Sequence, residues 1–98
     1  MYRVEYSPEA IDHLRTLTAR ERAIVFNGVE TQLIHQPTRE TTNCKPMRPN
    51  PLAPWELRIG ILRVYYEVAE DRERLVYLRA VGVKQRTRVV CGGEEMPL

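Results

Sequence analysis

From Trp55 to Ala69 the chain reads WELRIGILRVYYEVA. Trp55, Leu57 and Ile59 alternate with Glu56 and Arg58 up to Gly60, the two-residue period of a strand with one face buried. Arg63-Val-Tyr-Tyr-Glu-Val68 follows, dense in the β-branched and aromatic residues that suit a pleated surface. The charged run Glu70-Asp-Arg-Glu73 turns the chain, and Leu75 to Val83, rich in Val, Leu and Tyr, supplies a third strand. Three strands with short connections make an antiparallel meander. Lys84 to Val90 is basic and adds an edge strand or a turn of helix, which Gly92-Gly93 breaks.

Upstream the pattern is helical. Tyr2 to Tyr6 alternates as one short strand, after which Ser7 is a helix cap and Pro8 the first helical residue. Ile11, Leu14 and Leu17 form the apolar stripe of this first helix. Thr18-Ala-Arg-Glu21 fits a capping box, so a second helix is expected from Ala19 to His35. Its buried face is Val25, Phe26, Val29 and Leu33, with Gly28 permitting a close neighbour and Pro37 as the stop. Residues 36–54 hold five prolines among polar residues and read as a stiff loop from which Lys45 and Arg48 project. The expected fold is α+β, in the order β-α-α-β-β-β with a fourth late strand optional. A helix hairpin packs on one face of a twisted antiparallel sheet. One domain spans residues 1–98, with a flexible tail from Gly92 to Leu98.

The composition agrees with a globular domain: 43% hydrophobic and 29% charged residues exclude a disordered chain. No apolar run approaches the roughly 18 residues of a membrane span, and the alternating start lacks the apolar core of a secretory signal. Cys44 and Cys91, without C-x-x-C spacing, are expected as free thiols of a reducing cytoplasm. The net charge of +2 hides an asymmetry. Residues 1–44 carry five arginines against six acids, whereas residues 45–90 carry ten Lys and Arg against five acids. A basic half of this kind expects a polyanionic partner.

Basic groups arrive from separate segments: Lys45 and Arg48 from the proline loop, Arg58 and Arg63 from strands, and Lys84, Arg86 and Arg88 after the last long strand. A guanidinium fork donates two parallel hydrogen bonds to phosphate and stays charged at any physiological pH. Metal-free RNA cleavage needs an acceptor for the 2′-hydroxyl proton, cations for the phosphorane-like transition state and an acid for the leaving 5′-oxygen. The cations are plentiful. Glu56, Lys45 and Lys84 are the candidates for the acceptor. Trp55, at a strand entrance beside the loop, is the aromatic best placed to stack on a base. His13 and His35 have no partner at metal-ligand spacing, and no glycine loop cradles a phosphate, so neither a metal nor a small-molecule cofactor is expected.

Trp55-Glu-Leu-Arg-Ile-Gly60, Arg63-Val-Tyr-Tyr-Glu-Val68, the strand Val76 to Val81 and Gly82-Val-Lys-Gln-Arg86, together with Tyr6-Ser-Pro-Glu-Ala10, resemble the RelE/ParE toxin superfamily of bacterial toxin–antitoxin systems. The resemblance spans about residues 2–90. It implies a cytoplasmic toxin neutralised by a cognate antitoxin. The activity implied is ribosome-dependent cleavage of messenger RNA to a 2′,3′-cyclic phosphate, gyrase inhibition without catalysis, or antitoxin binding alone. By position, Arg63 resembles the family arginine at the scissile phosphate, Arg58 a basic strand residue, and Lys84 and Arg86 the basic pair after the last strand. Two positions depart from the family pattern: Glu56 stands where RNA-cleaving members often have lysine, and Val90 where many have tyrosine.

Overall fold

The meander read from Trp55 onward forms the centre of the sheet in the computed structural model, which describes residues 1–97. Among these residues the order is β1 (Arg3–Tyr6), α1 (Pro8–Arg15), α2 (Ala19–Gln32), β2 (Cys44–Pro46), β3 (Trp55–Ile59), β4 (Leu62–Ala69), β5 (Leu75–Gln85), β6 (Arg88–Cys91) and β7 (Glu94–Glu95). The strands lie in the order β2-β3-β4-β5-β6-β7. The five neighbour pairings along this path are antiparallel, but β1 runs parallel to the first half of β5, with Arg3 against Leu75 and Tyr6 against Leu78. The side of β5 that β1 occupies is open there because β6 pairs only with Val83 to Gln85.

Tight turns set the register. Gly60, at φ +59°, opens the two-residue turn that leaves Ile59 opposite Leu62, Arg58 opposite Arg63 and Glu56 opposite Tyr65. Between β4 and β5 the register shifts: Tyr65 faces Ala80 but Tyr66 faces Leu78, so Arg79 is the extra residue of a bulge. Gly82 is obligatory for another reason. A Cβ there would lie 2.5 Å from Cys91 Sγ and 2.6 Å from the Val90 carbonyl. The proline-rich stretch contains β2, three residues made a strand by pairing with Trp55 to Leu57. Gly92-Gly93 turns the chain so that Glu94 and Glu95, in the segment expected as a tail, pair back on Cys91 and Val90; Leu98 lies outside the described residues.

Both helices start as their caps dictate. Ser7 Oγ accepts from the Ala10 amide at 3.0 Å, and Thr18 and Glu21 exchange bonds of 3.1 and 2.8 Å. The second helix ends at Gln32, short of His35, and Leu33 closes it through its amide to the Val29 carbonyl. Pro37, well beyond, is not the stop. The stripe of the first helix also turns by one residue: Ala10 and Leu14 are buried while Ile11 is exposed. Phe26 is half-exposed at the helix rim, edge-on to Tyr6 at 5.8 Å between ring centres.

Two cores flank the sheet. The larger joins Leu14, Val25, Val29 and Leu33 to Leu57, Val64, Tyr66 and Leu78 on the helix side; each fully buried leucine contributes roughly 1.5–3 kcal/mol. The smaller lies on the other face, where Ala53, Tyr65, Ala80 and Cys91 are covered by Met47 and Leu52 of the proline loop and by Val89 and Met96. Cys44 and Cys91 are free and buried, and burial raises both thiol pKa values, that of Cys91 to about 12. Cys44 Sγ and the Tyr66 hydroxyl meet at 2.7 Å, and Tyr66 also donates to the Pro37 carbonyl at 2.7 Å, anchoring the loop to β4. No helix among the described residues is long and apolar enough to cross a membrane.

Candidate cationic site

The face away from the helices receives the alternate residues of each strand. With Leu57, Val64 and Val83 turned to the main core, Glu56 and Arg58 of β3, Arg63 and Tyr65 of β4, and Lys84 of β5 fall on the other side. Lys45 of β2 joins them opposite Glu56. The loop from Pro46 to Asn50 rises over this surface and completes a cavity of ≈ 490 Å³ lined by Lys45, Arg48, Glu56, Arg58, Arg63 and Lys84, with Met47, Asn50 and Val89 among the other walls.

Arg58 and Arg63 are a directly opposed pair, an arrangement that like charges disfavour. Each is restrained separately. Arg63 is 8% exposed, and its Nη1 donates to the Gly60 carbonyl at 2.7 Å and the Leu62 carbonyl at 2.9 Å. The guanidinium is therefore held by the very turn that sets the register, and the side chain faces the cavity instead of the core. Arg58 donates from Nε to Glu56 Oε1 at 2.6 Å; its side chain is half-exposed while the carboxylate is almost fully buried. Such a charge-assisted bond fixes the guanidinium plane. Lys45 approaches Glu40 at 3.8 Å in the open, a weak pairing.

Asn50 shapes the roof. Its Oδ1 accepts from the Leu52 and Ala53 amides at 2.8 and 3.0 Å, and its Nδ2 donates to the Arg48 and Ala53 carbonyls at 2.7 and 3.0 Å. One side chain thus folds the segment that carries Arg48. Beneath the floor, the Tyr65 hydroxyl is fully buried and makes no hydrogen bond among the described residues. Burial is the first cause of its raised pKa and the Glu56 carboxylate the next, through its charge and as an acceptor close at hand, although the pair stops just short of a formed hydrogen bond. Neither Asn50 nor Tyr65 carries a charge that sequence reasoning would single out.

Three residues expected at the site do not line the cavity. Trp55 is on the helix-side face, stacked on Tyr66 with 6.3 Å between ring centres, because alternation from Glu56 forces it there. Arg86 is in the two-residue turn between β5 and β6, and Arg88 beyond it approaches Glu95 at 3.8 Å. Among the described residues no group of His, Cys, Asp and Glu gathers as metal ligands. What the cavity offers is five cations around one carboxylate: hydrogen-bond donors for a phosphate and one anionic acceptor for a proton.

No protein-family model matches the chain, and no curated protein matches it by sequence. Solved structures do. The chain superimposes on the RelBE2 toxin–antitoxin complex from Mycobacterium tuberculosis with a TM-score of 0.72 and 25% identity, covering 85% of this chain and 98% of that one. It matches the isolated E. coli RelE toxin with a TM-score of 0.68 and 20% identity over 89% and 88% of the two chains. The intact E. coli RelBE toxin–antitoxin complex matches with a TM-score of 0.56 and 20% identity over 88% of this chain and 100% of that one. The two likenesses at 20% speak for the fold alone. Element order, sheet topology and the agreement with the chain matched at 25% identity together place the protein, by its structure, in the RelE/ParE superfamily.

Proposed function

We propose that this chain is the toxin of a type II toxin–antitoxin pair and that it cleaves messenger RNA on the ribosome without a metal. The observation that carries the proposal is the convergence of Lys45, Arg48, Arg58, Arg63 and Lys84 with Glu56 around one cavity. In the reaction the 2′-oxygen bonds to phosphorus, the bond from phosphorus to the 5′-oxygen breaks, and a 2′,3′-cyclic phosphate remains. Arg63 and Arg58 stabilise the charge gathered on the phosphoryl oxygens. Glu56 accepts the 2′-hydroxyl proton, and Lys84 or Lys45 returns one to the leaving 5′-oxygen. Arg86 and Arg88 act at longer range, drawing the RNA backbone toward the cavity. The partner in the resting cell is an antitoxin, as in the two complexes matched above; an acidic segment of it near Arg63 and Lys84 masks the site.

A brief pulse of expression followed by mapping of RNA ends tests this. Wild type arrests growth and cuts message on ribosomes. Arg63→Ala lowers the cleavage rate about 10²–10³-fold, the usual cost of one preorganised donor, and Arg63→Lys, which keeps the charge but not the fork, falls between. Undiminished cutting by Arg63→Ala rules out the proposed centre. The bond between Glu56 and Arg58 favours a second reading, because it neutralises part of the site and engages the acceptor. In that reading the chain inhibits gyrase, and RNA stays intact while a DNA-damage response appears.

A further inference from the structure

Among the described residues the Tyr65 hydroxyl is a buried polar group that neither packing nor the proposed chemistry explains. Its ring is fully buried with Ala53, Ala80 and Cys91, and its oxygen makes no hydrogen bond. A phenol in that position has given up its bond to water without replacement, whereas phenylalanine would fill the same space without the loss. The register places Tyr65 directly opposite Glu56. Glu56 in turn is engaged through Oε1 by Arg58 Nε, and Arg58 is half-exposed at the cavity. Tyr65, Glu56 and Arg58 therefore form a line from the small core to the cavity wall, with the outer bond made and the inner one unmade.

We propose that Tyr65 is a positioning residue: its hydroxyl takes up the Glu56 carboxylate when a phosphate in the cavity draws the Arg58 guanidinium away from it. The inference rests on the cavity being a phosphate site. When Arg58 leaves, a carboxylate as buried as Glu56 loses the hydrogen bond that compensates its lost hydration, and a buried charge without one is strongly disfavoured. A donor held ready on the opposite side removes that obstacle. In the free protein Arg58 holds the Glu56 carboxylate through Oε1 and the Tyr65 hydroxyl stops short of it, a cost that is offset in the complex. Tyr65 touches no substrate; it acts through Glu56.

Tyr65→Phe tests this with inorganic phosphate and a 2′-deoxy trinucleotide, which cannot cyclise, as probes. The variant is expected to melt at a higher temperature than wild type, since an unpaired buried hydroxyl has gone. It is expected to bind both probes about tenfold more weakly. In wild type the NMR signal of the Arg58 Nε–H shifts on adding either probe; in Tyr65→Phe it keeps the position of the Glu56-bonded state. In a Glu56→Gln background the same substitution costs no further affinity, because the two residues act as one unit. A lower melting temperature with unchanged affinity assigns the hydroxyl to structure and overturns the proposal. Wild type that ignores both probes removes the phosphate reading and this inference together, whereas wild type that binds them as tightly as Tyr65→Phe removes the inference alone.

Discussion

Arg86 occupies the first of two turn residues between β5 and β6 at φ +61°, a region where a side chain clashes with its own backbone. Nothing in the packing compensates, since the residue lies outside the cavity and both cores. Arg86→Gly should therefore stabilise the protein by about 1 kcal/mol, read as a higher urea midpoint with an unchanged slope; a lower midpoint would mean that the arginine holds the turn by contacts of its own. Charge and alternation were enough to name the six charged residues that line the cavity. They fail at Arg86 and Arg88 because a two-residue turn ends the strand before either reaches the floor. Trp55 shows the limit of a locally correct pattern. Its alternation with Glu56 was legible, and that same alternation excludes it from the face where Glu56 sits. Tyr65 was legible only as a core aromatic, since its neighbour Glu56 comes from another strand.

At the scale of elements, the meander and both helix starts were readable because they rest on local signals: period, cap and turn. The strand β2 was not, because Cys44 to Pro46 acquires its conformation from a partner eleven residues on and has no periodicity of its own. The parallel placement of β1 was hidden for the same reason, as a strand's pattern states which face is buried but not which neighbour it takes. The loop after β2 gives a further prediction. Asn50→Ala removes two acceptor and two donor bonds that fold the roof. It should lower stability by about 1–3 kcal/mol and weaken phosphate binding through the displaced Arg48. Thermal melts and phosphate titrations together check this; intact binding after a clear loss of stability would show that Arg48 is held by other contacts.

For the whole molecule, pH acts through the joint between α1 and the sheet. The Val81 amide donates to His13 Nδ1 at 3.3 Å, and burial lowers the His13 pKa despite the carboxylates of Asp12, Glu9 and Glu94 nearby. A protonated ring cannot accept that bond. Because the folded pKa lies below the unfolded one, the unfolded chain binds the proton more readily. Stability is therefore complete above about pH 6.5 and falls as pH drops below it toward the folded value. Urea titrations from pH 7.5 to 5 should show this decline, and His13→Gln should flatten it. A decline of equal size in the variant assigns it to other groups.

The pairing of Arg3–Tyr6 with Leu75–Leu78 ties β1 to a strand far along the sequence. During synthesis β1 waits for its strand partner, and the loop to be closed runs from Tyr6 to Leu75, a span that slows assembly. Lys84 also arrives on this strand, and it joins Arg63 at the cavity only when β5 has docked. A translation product cut short before Leu75 therefore has neither a closed sheet nor a finished cationic centre.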